Sequence, residues 1–165
     1  HILSSLVALS AGGVVNTNSD FVSNLQAGEV VDIDLMDGFD IELLANFIRL
    51  LNALDKKLHD LNGELGIRWL GREVVLVGFF GAIGAYAKES NIEINIVLNS
   101  VLKNVDKVVR DLRLESFESA RNNVKLNKVN VGNVNRKAVF ACTKDIMLGS
   151  KTKSWGEYFG GKREV

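Results

Sequence analysis

The longest regular pattern of apolar positions in the chain runs from Ile41 to Leu61. Leu44, Phe47, Leu51, Leu54, Leu58 and Leu61 recur at alternating steps of three and four, the seam of a packed or coiled helix. Ile41, Leu43, Ile48 and Leu50 widen its first half, and a helix apolar nearly all round is covered on more than one side. Asp40 is placed to cap the start and Asn62-Gly63 to end it. A second seam, Ile94, Leu98, Val101, Val105, Val108 and Leu112, predicts another long helix reaching about Leu114. Ser90 and Glu93 are spaced as a capping box before it, and Asp106 and Arg110 as an i,i+4 ion pair upon it.

Elsewhere the pattern reads as strands. A short helix capped by Asn18-Ser19-Asp20 and closed by Gly28 precedes Val31, Ile33 and Leu35, which alternate with Asp32 and Asp34. Residues 67–70 and 73–76 flank Gly71-Arg72, a glycine-first hairpin turn. Val124, Leu126, Val129 and Val131 lead into Gly132-Asn133, and residues 134–142 return, a second hairpin. Beyond Gly149 there is no period, and the segment reads as a flexible tail. The predicted fold is α+β: two long amphipathic helices packed on antiparallel β-hairpins, with a basic C-terminal tail.

Composition adds limits. The 165 residues, 47% of them hydrophobic, suffice for one domain that buries roughly two thirds of its unfolded surface. Proline is absent, so turns fall to Asn, Asp and the 15 glycines. Cys142 stands alone, which excludes an internal disulfide framework and favours a reducing, cytoplasmic or otherwise intracellular setting. The chain opens on His1 rather than Met, as a fragment or a processed product would. Residues 2–13 have the length of a signal-peptide core without its preceding positive charge, and read as a buried N-terminal helix or strand. The run from Val74 to Ala87 spans 14 positions, short of the about 20 that a spanning helix needs. A soluble protein with no membrane span is expected.

Charge changes the picture more. The formal total is zero, yet residues 1–120 carry a net −7 and residues 121–165 a net +7. The division marks a helix-rich acidic core over 1–120 and a basic hairpin and tail over 121–165, as two regions or as parts of one domain. Such asymmetry points to a polyanion or to the acidic part of another copy. Lys125, Lys128, Arg136 and Lys137 on the hairpin, with Lys151, Lys153, Trp155 and Tyr158 in the tail, are the candidate nucleic-acid-binding residues. Phosphates would take the charge and bases would stack on the rings. The plain alternative is a solvated face, or one paired with the acidic half of the same chain.

Gly78-Phe79-Phe80-Gly81-Ala82-Ile83-Gly84 follows an apolar run and opens a helix-compatible stretch. This G-x-x-G-x-x-G turn resembles the dinucleotide-binding fingerprint of the extended short-chain dehydrogenases, which implies a strand, a turn and a pyrophosphate at a helix N-terminus. Phe79 and Phe80 depart from it, as does Asn99 where the ribose-binding acid belongs. The structural alternative is a close backbone approach that only glycine permits. Asp32, Asp34, Asp37 and Asp40 loosely echo a calcium loop; strand alternation, a turn and a cap account for all four. Cys142 reads as a small core residue, and His1 and His59 lack zinc-ligand spacing. No catalytic residue, metal or cofactor follows.

The expected function is a non-enzymatic interaction or structural protein. It would self-assemble as a homo-oligomer through surplus apolar helix surface and bind a polyanion, above all nucleic acid, through residues 121–165. The alternatives are a small nucleotide-dependent enzyme using the Gly78 to Gly84 turn, and a carrier of a hydrophobic ligand.

Overall fold

A computed structural model of the chain describes residues 2–13, 41–123 and 131–160. Every regular element among them is a helix: α1 (Ile2–Ala11), α2 (Ile41–Asn62), α3 (Glu64–Leu70), α4 (Glu73–Ser90), α5 (Ile94–Lys103), α6 (Val105–Leu112), α7 (Leu114–Asn123), α8 (Val131–Leu148) and α9 (Trp155–Tyr158). The short helix expected near residue 20, the acidic strand, the four-aspartate run and the Asp40 cap lie outside the described residues.

The α+β expectation is overturned, both hairpins included. Gly71-Arg72 joins two helices: Gly71 closes α3 in the right-handed helical region, and Arg72 enters α4 extended. A short continuous apolar run such as 74–77 fits a buried helix as well as a strand, and only length separates them. Here the run continues to Ser90. The second hairpin fails because residues 131–148 are one helix; residues 124–130 lie outside the described set. Its buried positions Asn135, Ala138, Val139, Cys142, Thr143 and Ile146 fall at helical spacing.

Helix α4 forms the centre, with twelve buried residues running from Val75 to Ala87. Its most extensive pairings are with α8 and α1, and its glycines are why those helices come so close. A Cβ added at Gly78 would lie 2.7 Å from the Arg136 carbonyl oxygen of α8. At Gly81 it would lie 2.7 Å from the Gly13 carbonyl oxygen, and at Gly84 it would collide with the Leu9 carbonyl of α1. The glycine run is a helix-packing surface, so the strand and turn that a dinucleotide fingerprint requires are not formed. Lys88 closes the end of α1 by donating from Nζ to the Ala11 carbonyl oxygen at 2.7 Å.

Helix α2 spans Ile41–Asn62 as its pattern predicts, ending at Gly63 with φ 56°. The buried stripe is rotated from the expected seam. Leu43, Phe47, Leu50, Leu54 and Leu58 are buried, whereas Leu44, Ile48 and Leu61 are exposed. This face packs on α3, α5 and α6. Phe47 meets Phe80 of α4 with ring centroids 4.6 Å apart, joining the two layers. Asn46 Nδ2 donates to Asn95 Oδ1 at 2.9 Å, a buried polar clasp between α2 and α5.

The second long helix is interrupted twice. Asn104 separates α5 from α6, its side chain donating back to the Ser100 carbonyl oxygen at 2.9 Å. Arg113 ends α6 in the left-handed region, φ 52°. The buried stripe Val97, Leu98, Val101, Val108, Val109 and Leu112 nevertheless runs through the first break, so the seam survives although the helix does not. The start differs too: Ser90 belongs to α4, Asn91 closes it at φ 53°, and Glu93 caps α5 by accepting from the Ile96 amide. Asp106 pairs with Lys57 of α2 at 2.8 Å rather than with Arg110, and that bond raises the Lys57 ammonium above the usual lysine range.

No single helix among the described residues is long and apolar enough to cross a membrane; α3 and α4 together have the length and composition but are bent by 71° at their junction.

Candidate functional site

The segment after α8 is held down by aromatic packing. Ser154 and Glu157 form a capping box, the hydroxyl accepting from the Glu157 amide and the carboxylate accepting from the Ser154 amide. The turn they stabilise drives Trp155 and Phe159 into the core, 1% and 6% exposed. Phe117 of α7 lies against both, with centroids at 4.8 and 5.6 Å, and reaches Trp69 of α3 at 6.1 Å. The Trp155 indole N–H donates to the Leu112 carbonyl oxygen at the end of α6. Residues 149–154 are thereby laid across the α6–α7 junction, so the expected flexible tail is packed on the body as far as its described residues run; residues 161–165 lie outside the described set.

A cleft of about 620 Å³ opens at that crossing. Its lining brings Arg110, Arg113 and Ser116 from α6, α7 and their junction together with Lys151, Thr152, Lys153 and Ser154 from the following segment, beside the apolar Leu61, Val109 and Leu114. Glu115 is the carboxylate in this lining. Among the described residues, none of the four cations has a carboxylate oxygen within ion-pair distance. Lys153 Nζ lies 5.9 Å from the Tyr158 ring centroid, the range of a cation–π contact. Four cations and three hydroxyls around a concavity form a set of donors and charges suited to an oxyanion.

The eight candidate binding residues are scattered by the fold. Lys125 and Lys128 lie outside the described residues. Arg136 is buried, and its Nη2 donates to Glu73 Oε1 of α4 at 2.8 Å. Lys137 is exposed on α8. Lys151 and Lys153 meet in the cleft, whereas Trp155 presents no free ring face. Tyr158 is half-buried and donates its hydroxyl to Asp145 Oδ2 at 2.8 Å; burial first, then that bond, raises its phenol above the usual range. The charge division is partly closed within the chain. Arg136 with Glu73, Lys144 with Glu89 and Arg121 with Glu118 join basic and acidic regions, and Glu118 also takes Arg72.

Arg110 and Arg113 belong to the acidic region, where the sequence offers Arg110 only as the ion-pair partner of Asp106 and gives Arg113 no role. Their signal is positional: both stand where the 94–112 seam ends. Cys142 is buried in α8, and burial pushes its thiol up to about 12, the state of an inert core cysteine. Among the described residues no group of three His, Cys, Asp or Glu side chains is placed to hold a metal ion. Comparison of the chain with protein-family models, with curated proteins and with solved structures finds no significant match.

Proposed function

We propose that this protein is a non-enzymatic polyanion-binding protein that takes the phosphate backbone of a nucleic acid in the cleft between the α6–α7 junction and residues 149–154. The observation that supports it is the set of four cations, Arg110, Arg113, Lys151 and Lys153, gathered from both charge regions and without a carboxylate partner among the described residues. A cation with a carboxylate at hand is already neutralised, whereas these four remain free to displace counterions from phosphate. With Trp155 turned inward, recognition rests on charge and hydroxyl donors, so little preference among base sequences is expected.

The test is a retardation assay with a random oligonucleotide of DNA or RNA. Four engaged phosphates give a loss of roughly 50- to 150-fold in affinity between about 50 and about 200 mM salt. Lys151→Glu with Lys153→Glu should abolish the shift at the lower salt. Absence of any shift there by the unaltered protein rejects the proposal.

Self-association is the second part of the reading, favoured by one observation on α2. Ile41, Leu44 and Ile48 form an exposed apolar stripe flanking the buried one, 88%, 43% and 46% accessible. Ile48→Glu should shift the sedimenting species toward the monomer; a monomer at all concentrations before mutation rejects this part.

A further inference from the structure

A second, apolar space is linked to the cationic cleft through a small pocket that shares lining residues with both. Between the end of α4 and helices α5, α6 and α8 lies a groove of about 340 Å³, within the range of about 300–1,000 Å³ usual for small-molecule sites. Ile92, Ile96, Val97, Val101, Val108 and Met147 supply its walls. Ile96 and Ile92 stand at its lip with 61% and 38% of their surface exposed. At one end the lining includes Lys107, Asp111 and Ile146, which also line an adjoining pocket of about 250 Å³. That pocket is completed by Arg113, Lys151, Thr152 and Lys153, residues of the cleft already described. Lys107 and Asp111 pair with each other at 3.6 Å, so their charges offset, and the surplus at this end is Arg113, Lys151 and Lys153.

We propose that this groove is a binding site for a small anionic amphiphile, its alkyl chain lying between α5, α6 and α8 and its acidic head meeting Arg113, Lys151 and Lys153. Charge complementarity fixes the ligand class. An uncharged apolar molecule leaves the cations unused, and a cationic one is repelled by them. A head group without a chain leaves Ile92 and Ile96 facing water. The site goes beyond polyanion binding and does not depend on it, but the two share cations. Occupancy of the groove therefore opposes occupancy of the cleft, which makes an amphiphile a negative effector of nucleic-acid binding.

A chain-length series tests this directly. Hexanoate, octanoate and decanoate are titrated into the protein by calorimetry below their micellar concentrations. Each methylene entering an apolar site strengthens binding about fourfold. We expect that gradient until the groove is full, with decanol at least about tenfold weaker than decanoate for want of a charged head. Ser100 lies exposed on the groove lining, so Ser100→Trp should fill it and abolish decanoate binding while sparing oligonucleotide retardation. Ile96→Asp, on the exposed lip, provides an independent block, and circular dichroism checks that both variants keep their helices. Decanoate should displace a bound oligonucleotide from the unaltered protein. The proposal is overturned if decanoate shows no saturable binding, if both groove variants bind it normally, or if it coexists with the oligonucleotide. None of these outcomes alters the retardation result, so failure of the groove and failure of the cleft are read separately.

Discussion

Arg136 and Lys144 on α8 and Lys151 and Lys153 just beyond it come from adjoining stretches of one basic region, and the fold treats them oppositely. The first two face α4, where Glu73 and Glu89 meet them at 2.8 and 2.6 Å. The second two cross the α6–α7 junction and face two arginines. In sequence all four contribute alike to the +7 of residues 121–165. In the folded chain the first pair fixes α8 against α4, while the second pair adds to a local excess of positive charge. Net charge over a stretch is therefore a poor guide to binding until the cations that close contacts within the chain have been subtracted.

The comparison is tested first at Trp155, which belongs by sequence to the binding set and by burial to the core. Trp155→Ala should cost about 3–5 kcal/mol of stability, seen in denaturant unfolding; an unchanged stability with weakened single-strand binding would return it to the binding set. Arg136→Ala comes next. It removes the largely buried ion pair between Arg136 and Glu73, and we expect a loss of about 3 kcal/mol, with oligonucleotide affinity of the folded fraction preserved.

Cys142, buried in α8, gives a smaller effect that depends on pH. Its thiol is raised in the folded state to about 12, so the unfolded chain ionises first as pH rises. The stability it contributes is intact below the ordinary thiol range, near pH 9, and is lost as pH climbs toward 12. Between pH 9 and 10 the gap in unfolding free energy between the unaltered protein and Cys142→Ala should narrow by about 1 kcal/mol. The smallest effect sharpens the comparison most. Lys151→Glu with Lys153→Glu should move stability by no more than about 0.5 kcal/mol, as for surface changes generally, while removing binding. A large destabilisation would show that these lysines hold the fold together as Arg136 does.

The long helix over 41–62 was legible because its leucines are unambiguous, although the true stripe runs through Leu43 and Leu50 rather than Leu44 and Leu61. Two overlapping seams on one helix carry similar hydrophobicity, and only the neighbouring helices decide which is covered. α8 was missed for a different reason. Its stripe is built from Asn135, Ala138, Cys142 and Thr143 as much as from Val139 and Ile146, and small or polar residues do not register as a hydrophobic period. Its β-branched valines then favoured a strand. α4 was hidden because burial on all sides erases periodicity altogether. Half of the cleft is within reach of the sequence, since charge alone marks Lys151 and Lys153. Arg110 and Arg113 are not, because their proximity is made by a chain crossing that no local pattern encodes. The signal overlooked was Ser154 and Glu157, a capping box that announces an ordered turn.

Arg113 carries one more consequence. Its backbone sits at φ 52°, ψ 63°, a conformation in which a side chain costs about 1 kcal/mol or more and glycine almost nothing. Under the proposed function, stability and ligand affinity make opposing demands on this single position. Selection for thermal endurance alone would install glycine there and remove a cation from the mouth of the cleft in the same step. A thermostabilised descendant of this chain should be searched at residue 113 first when its affinity for anions declines.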